Sequence, residues 1–463
     1  MGDINIPAGW NSVSLGEVSH KLVDGSHNPP KKKDSGLPML SAININGNYI
    51  SYEPCRFISD EEFEAEHRRT LVRAGDVLLT IVGAIGRVAV VPENHQPFTL
   101  QRSVAVIAPI QIHSRFLMYQ LESPKSAKYF KENSRGTAQK GVYLKTLSRL
   151  PLEIPSLNEQ HRIVAKIEEL FSELDRGIES LKTAREQLKV YRQALLKQAF
   201  EGKLTEQWRK ENVDRLETAD QLLERIKQER ETRYQQQMEA WKAAVKQWET
   251  DDKEGKKPRK PKKLQENILE QDIVNELPNL LGVGVHAPLG DLIDEPKYGT
   301  SKKCTYNTNG NGVLRIPNVV SGRVDSADLK YAEFDDSELH DYVLVDGDVL
   351  LIRSNGSVSI VGKSALIEPK DTGFIYAGYL IRLRPNANLI ISKYLLFSLE
   401  AHMLRKQIEA KAKSTSGVNN INSGEIRALI IPVVGLKEQS VIVGLLEEQL
   451  SVIDSSMFNV ENN

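Results

Sequence analysis

The segment SNGSVSIVGKSALIEP (354–369) contains Gly-Lys-Ser, the ending of a phosphate-binding loop. Such a loop has four residues between its two glycines, because its backbone N–H groups must wrap around the phosphates, and a helix follows it. Here five residues separate Gly356 from Gly362, and the apolar residues on both sides predict short strands. This spacing argues against nucleotide hydrolysis.

A second copy of the motif indicates a turn. The segment IVGAIGRVAVVPE (81–93) aligns its Gly-Arg at 86–87 with the Gly-Lys at 362–363, and an apolar run leads to a proline after both. We interpret both as a repeated turn between strands. The Gly-Asp pairs at 75–76 and 347–348 also suit turns, because glycine accepts a positive φ and the aspartate side chain caps the backbone.

Composition allows a globular chain with two or three domains. The sequence has 463 residues, of which 40% are hydrophobic and 27% are charged. No apolar run approaches the ~20 residues that span a membrane, and the first residues lack a signal-peptide core, so a cytoplasmic location is expected. Cys55 and Cys304 suggest neither a disulfide nor a zinc site. A net charge of −1 argues against a nucleic-acid-binding chain that is basic as a whole, although local basic surfaces can coexist with acidic helices.

The chain repeats itself at a long period. Four pairs of segments match in the same order, namely 14–18 with 288–292, 40–51 with 314–326, 71–80 with 343–352, and 154–175 with 433–454. A helical stretch at 113–131 also matches 391–409. Each copy is a globular segment of short strands and helices, residues 1–157 and 280–436, followed by a helix. The fold class expected is α+β with an internal pseudo-two-fold repeat.

The helix after the first copy carries a long apolar seam with alternating spacings of three and four, which is typical of a coiled coil. It is expected within residues 158–210, and a helix from 158 to 200 would be about 65 Å long. Its expected partner is the shorter helix at 437–463, in an antiparallel arrangement. The residues predicted to pair are Ile163, Ile167, Leu170 and Leu174 with Ile442, Leu446, Leu450 and Ile453.

Residues 211–279 have no counterpart in the second copy. A polar helical segment (219–250) precedes a basic stretch, DDKEGKKPRKPKK (251–263). The simplest interpretation is a solvated helix with a flexible spacer. The alternatives are a docking surface that uses Trp241 and Trp248, or a basic strand that contacts DNA.

The segment AFEGKLTEQWRKEN (199–212), the repeated Gly-Asp-Val-Leu-Leu and the Glu-Gln at the start of each helix resemble the specificity (S) subunit of type I restriction-modification systems. The resemblance covers nearly the whole chain. It implies a non-catalytic DNA reader with two tandem α/β target-recognition domains, separated by long antiparallel coiled-coil helices. Each domain would read one half of a bipartite asymmetric site, and the helices would set the gap.

The resemblance also implies partners. These are double-stranded DNA, two methyltransferase (M) subunits and motor-nuclease (R) subunits, with S-adenosylmethionine, ATP and Mg bound by the partners and no cofactor, metal or catalytic residue in this chain.

Base edges are read by hydrogen bonds, whereas Lys and Arg on phosphates position the protein. The candidate DNA contacts are Ser26, His27, Asn28, Lys31, Lys32, Lys33, Arg87, Arg102 and Lys140 in the first copy, and Lys297, Tyr298, Lys302, Lys303, Arg353, Asn355 and Lys363 in the second. A solvated loop would equally explain the three lysines at 31–33, and turn packing would explain Arg87 and Lys363. For the others, an ordinary surface position is the simpler explanation.

Two other functions are compatible with parts of the sequence. A coiled-coil scaffold with two adaptor domains would suit the near-neutral charge. An enzyme is the second alternative, since NPPK (28–31) is similar to the Asn-Pro-Pro-aromatic motif of amino-methyltransferases. However, Lys31 replaces the aromatic residue, and no glycine-rich cofactor turn precedes it.

Overall fold

The computed structural model describes residues 7–136, 139–250, 257–261, 271–277, 280, 284–307, 309–412 and 417–462. Contacts divide the chain into two compact units, Met1–Glu179 and Ser180–Asn463. Among the described residues, no helix is both long and apolar enough to cross a membrane.

The described residues of the first unit form eleven strands and the start of a long helix. Its strands are β1 (Asn11–Ser14), β2 (Ser19–Asp24), β3 (Leu37–Leu40), β4 (Ile45–Asn46), β5 (Tyr49–Ile50), β6 (Arg56–Ile58), β7 (Val77–Thr80), β8 (Val88–Val90), β9 (Thr99–Leu100), β10 (Val104–Pro109) and β11 (Pro151–Ile154). Its helices are α1 (Asp60–Thr70), α2 (Ser114–Glu122), α3 (Pro124–Asn133), α4 (Leu144–Leu147) and the start of α5 (Leu157–Phe200).

A four-stranded antiparallel sheet, in the order β2-β10-β7-β8, is the centre of this unit. Side chains of a strand alternate between the two faces of its sheet. Val77 and Leu79 therefore join the cluster that includes Phe116 of α2, whereas Leu78 joins a second cluster on the other face. A three-stranded sheet, β6-β3-β9, contains the parallel pair β3 and β9.

The second unit has the same kinds of elements. Its strands are β12 (Gly284–Pro288), β13 (Lys297–Tyr298), β14 (Asn311–Leu314), β15 (Val319–Val320), β16 (Arg323–Val324), β17 (Lys330–Ala332), β18 (Val349–Ile352), β19 (Ser354–Asn355), β20 (Ser364–Leu366), β21 (Ile375–Tyr376), β22 (Leu380–Leu383), β23 (Asn419–Asn420) and β24 (Ile430–Val434). Its helices, after the end of α5, are α6 (Glu206–Glu211), α7 (Ala219–Thr250), α8 (Gln271–Glu276), α9 (Leu289–Leu292), α10 (Asp336–Tyr342), α11 (Ser392–Glu400), α12 (His402–Lys411), α13 (Ser423–Arg427) and α14 (Leu436–Asn462).

Strand order repeats between the units. The second four-stranded sheet is β13-β22-β18-β20, and the second three-stranded sheet is β17-β14-β21, again with one parallel pair. The alternation of burial repeats too, since Val349 and Leu351 of β18 face one cluster and Leu350 faces another. The predicted α+β tandem repeat is confirmed.

The glycine turns are structural, as predicted. Gly75 and Gly347 have φ values of +83° and +84°. The carboxylate that follows each glycine accepts a backbone N–H, from Arg73 to Asp76 at 3.0 Å and from Val345 to Asp348 at 3.0 Å. Likewise, Gly86 and Gly362 have φ values of +96° and +84°, and each precedes a strand. The Gly-Lys-Ser at 362–364 is therefore a turn into β20.

Helix α14 packs against the last turns of α5. Its residues Ile442, Leu446, Leu450 and Ile453 are buried in one cluster with Leu195, Leu196, Ala199 and Phe200. Asp454 near the end of α14 lies 2.8 Å from Arg192 Nη1, whereas Glu438 at its start accepts from Thr205 at 2.6 Å. The two segments therefore run in opposite directions, as predicted.

The residues expected to pair on the first helix need correction. Leu170 and Leu174 are 50% and 58% exposed, and Ile163 packs against the core of the first unit. The apolar period revealed that a seam exists along α5. The spacing could not predict which residues of this apolar surface contact the shorter α14. That depends on where α14 begins in the tertiary structure.

The inserted helix α7 is only partly solvated. Leu222 and Ile226 in its first turns are buried in the core of the second unit. Arg230 pairs with Asp291 at 3.2 Å, and Arg233 donates to the carbonyl of Ile293 at 2.6 Å. This correction applies to the first half of α7; beyond Tyr234 most of its residues are exposed.

Candidate nucleic-acid interface

One edge of the first four-stranded sheet gathers many of the candidate side chains. At this edge, named here the first sheet end, β2 and β7 finish while β8 and β10 begin, because neighbouring strands are antiparallel. The exposed side chains at this edge are His27, Asn28, Arg87 and Arg102. Lys140 joins them, since its carbonyl accepts the N–H of Gly83 at 3.1 Å.

Two candidates of the first copy are held elsewhere. Ser26 is only 4% exposed, and its hydroxyl donates to Glu66 at 2.9 Å, so its side chain faces α1 and its contact with DNA stays a prediction. Lys33 pairs with Glu62 at 3.3 Å, where hydrogen bonds from Ser59 and then the Lys33 charge lower the pKa of the Glu62 carboxyl. Lys31 and Lys32 are exposed in the same loop. The sequence could not indicate these partners because they lie on α1.

Asp24, at the end of β2, organises the loop that follows. It is 8% exposed, lies 2.8 Å from His27 Nε2 and pairs with Arg69 at 2.7 Å. The imidazole of His27 is therefore anchored on one side, while about half of the side chain is exposed. This carboxylate was not among the predicted residues.

The second sheet end is the matching edge, where β13 and β18 finish while β20 and β22 begin. Arg353 is fixed there by three contacts. Its guanidinium stacks on Tyr298 at 4.5 Å, Nη2 donates to Asn420 Oδ1 at 3.0 Å, and Nη1 donates to the carbonyl of Gly378 at 3.2 Å. The Tyr298 hydroxyl in turn accepts the N–H of Ser423 at 2.8 Å.

Arg87 and Lys363 occupy the same position in the two sheets. The carbonyl of Arg87 accepts from Thr80 N–H at 2.9 Å, and that of Lys363 accepts from Ile352 N–H at 2.8 Å. Both side chains are exposed, and neither has a hydrogen-bond partner within the described part of the chain. Turn packing therefore involves their backbones, which leaves both cations available to a phosphate.

Three of the other candidates of the second copy have partners within their own unit. Lys297 pairs with Asp341, and Lys302 pairs with Glu338 while lying 4.9 Å from the ring centre of Phe334. Asn355 Oδ1 accepts the N–H of Ser357 at 2.9 Å. Lys303 is exposed.

Beneath the second sheet end, the Tyr376 hydroxyl donates to the carbonyl of Lys297 at 3.1 Å, and burial raises the pKa of its phenol.

Sequence reasoning missed three polar residues of the second sheet end. Asn419 and Asn420 form β23, which pairs with β19, and Tyr379 is 63% exposed beside Arg353. Asn419 corresponds to Lys140, because the ladder that joins Val142 to Ile81 recurs between Ile421 and Arg353. A residue-by-residue alignment of the two copies would have identified it.

The two sheet ends therefore have the same backbone arrangement and carry different side chains. At the position of Arg353 the first unit has Ile81, which is 3% exposed. The groups present are hydrogen-bond donors, amides and cations, which suit base edges and phosphates. Within the described ranges, no group of three or more His, Cys, Asp or Glu side chains is placed to hold a metal ion.

A family model described as the type I restriction modification DNA specificity domain matches residues 7–189 and 288–455. The two matches coincide with the two copies of the repeat and cover more than half of the chain. This chain belongs to that family. Membership in the type I specificity family explains why the same sheets and turns occur twice.

Relatives within the specificity family include subunits of restriction enzymes. The chain is 34% identical over 235 residues to the EcoBI specificity subunit of Escherichia coli, an alignment that spans 49% of each protein. It is 22% identical over 466 residues to the EcoKI specificity subunit of Escherichia coli strain K12, across 99% of this chain and 85% of that one.

Solved structures show the same fold. A chain from a structure on complex assembly and conformational transition of the type I R-M system superposes with a TM-score of 0.60 and 16% identity, covering 99% of this chain and 94% of that chain. The HsdS subunit from Thermoanaerobacter tengcongensis gives a TM-score of 0.54 and 17% identity, covering 100% and 93%.

Proposed function

We propose that this chain is the DNA sequence-specificity subunit of a type I restriction-modification complex. Each sheet end reads one half of a bipartite asymmetric site in double-stranded DNA, and α5 with α14 sets the gap. The observation that carries this proposal is the repeated sheet end, with corresponding backbone hydrogen bonds and different side chains such as Ile81 and Arg353. Two surfaces of one architecture with different donors would select different bases.

In this proposal the chain makes and breaks no bond. It directs two methyltransferase subunits and the motor-nuclease subunits, which bind S-adenosylmethionine, ATP and Mg. Cations that have no partner among the described residues, such as Arg87 and Lys363, neutralise phosphates, while Arg353 and the asparagines contact base edges. The expected cytoplasmic location stays a prediction.

Methylation mapping tests the proposal. Methylated bases are mapped in a host with and without this gene, and again with residues 1–157 replaced by the corresponding segment of a relative. One bipartite motif is expected, and the exchange should change only one of its halves. Absence of any gene-dependent motif, with an active methyltransferase present, would contradict the proposal and favour a coiled-coil scaffold.

A further inference from the structure

The outer half of α7 contacts a basic segment, residues 257–261, which has no regular secondary structure. Lys257 lies 5.7 Å from the ring centre of Trp248, and Lys260 lies 5.8 Å from that of Trp241. The indole N–H of Trp241 donates to the carbonyl of Pro258 at 3.0 Å. Both ammonium groups are within the ~6 Å range of cation–π contacts.

The lengths of the basic segment and of the helix beneath it are compatible. Trp248 follows Trp241 by seven residues, which is about 10 Å of helix rise, and the three residue steps from Lys257 to Lys260 can span at most about 10 Å. Because Lys257 contacts the later tryptophan and Lys260 the earlier one, residues 257–260 lie antiparallel to α7. We name residues 257–260, with the part of α7 beneath them, the strap.

Charge at the strap is strongly positive. Its exposed cations are Lys242, Lys246, Lys257, Arg259 and Lys260, and its exposed carboxylates within 239–250 are Glu239 and Glu249. The whole chain carries a net charge of only −1. A local cation surface on a near-neutral protein favours a polyanionic partner.

The strap is also within reach of the second sheet end. Arg233 of α7 contacts Ile293 and Asp294, which follow α9. Asp294 is four residues before Tyr298, so at most about 14 Å separates them. From Arg233, about 22 Å of helix leads to Trp248. Along this path Trp241 lies about 26 Å and Trp248 about 36 Å from Tyr298, in addition to the Arg233 contact itself, which is comparable to one turn of B-DNA, roughly 34 Å.

We propose that the strap binds the phosphate backbone of duplex DNA next to the half-site read by the second unit. This inference rests on the proposed function. The contact is independent of sequence, because cations on phosphates carry no base information. Its role is to add affinity and to hold the second unit on the duplex.

The test compares full-length chains on two duplexes of about 40 base pairs, one with the mapped recognition site and one without. In K257Q/R259Q/K260Q, affinity should fall about tenfold or more on both duplexes, and the slope of log affinity against log salt should decrease by about 1 to 3. K242Q/K246Q should act in the same direction. The matched control K257R/K260R keeps the charge and should retain wild-type binding.

Unchanged affinity and salt slope in K257Q/R259Q/K260Q would overturn the proposal and point to an acidic protein as the partner. A loss of affinity for the duplex with the recognition site alone would also overturn the proposal, since that result indicates contacts to bases. Failure of the proposed function gives a different result, namely a wild-type chain that binds both duplexes equally. The methylated motif should be the same in all these variants.

Discussion

Arg209 and Glu438 form a buried ion pair between residues 229 positions apart, with Nη1 2.6 Å from Oε1. Thr205 donates its hydroxyl to the same carboxylate oxygen at 2.6 Å, and Arg209 Nη2 donates to the carbonyl of Gly202. These contacts join the turn after α5 to the first turn of α14. They give a physical role to the Gly-Lys-Leu-Thr-x-x-Trp-Arg segment.

Arg209→Ala is expected to destabilise the chain by about 3 to 5 kcal/mol, because it leaves the buried Glu438 carboxylate without a cation. Urea unfolding of the full chain, followed by tryptophan fluorescence, measures the loss. Lys210→Ala is the control, since its pair with Glu206 at 2.8 Å is exposed and should contribute little to stability. The double change Arg209→Met with Glu438→Leu should recover most of the loss. Equal effects of R209A and K210A would contradict the buried pair.

Gln160 and Gln439 perform the same task in the two units. Gln160 Oε1 accepts the N–H of His113 at 2.8 Å, and Gln439 Oε1 accepts that of Ile391 at 2.9 Å, in each case just before a helix. Replacing either glutamine by Leu leaves a backbone N–H without its acceptor and should cost about 1 to 3 kcal/mol. Gln187→Leu, at an exposed helix position, should change stability by about 0.5 kcal/mol or less. Thermal or urea unfolding that fails to separate these variants would refute the shared role.

Arg353→Lys should relax base choice in one half-site only. Lysine keeps the charge, yet it cannot stack on Tyr298 and bond Asn420 with the planar geometry of a guanidinium. The expected loss of discrimination is about 1 to 3 kcal/mol, measured by competition between duplexes that differ in the second half-site. Arg323→Lys, an exposed position in β16, serves as the control. If R353K altered the other half-site, the assignment of this edge would be wrong.

Acid should destabilise the first unit through His113. Burial, followed by the charges of His161 and Arg115, lowers the pKa of this imidazole, and Glu168 opposes them. In the unfolded chain the imidazole has its ordinary pKa of about 6.5, so below that pH the unfolded chain binds a proton more readily than the folded one. The free energy of unfolding is therefore highest above pH 6.5 and falls as the pH decreases towards the lowered pKa of the folded state. His113→Gln should flatten the dependence of the unfolding midpoint on pH, whereas the control His20→Gln, at an exposed position of β2, should not. A dependence that persists in H113Q would exclude this origin.

Much of the candidate site could be predicted because it repeats. Turn positions and residue type identify Arg87, Lys363 and Arg353 as candidate DNA contacts, and all three lie at the two sheet ends. The burial of Ser26 could not be predicted, because its hydrogen-bond partner Glu66 belongs to a helix forty positions away. Asn420 was missed because its position beside Arg353 depends on the pairing of β19 with β23.

The sequence by itself determined the tandem repeat, the strand alternation, the glycine turns and the apolar period of α5. These features follow from local backbone geometry, in which each residue's face depends on its neighbours along the chain. Only the tertiary structure decided that α14 covers residues 195–200, that Arg209 meets Glu438, and that residues 257–260 lie on Trp241 and Trp248. Those contacts join distant parts of the chain, and their geometry depends on how complete elements pack, which no local pattern encodes.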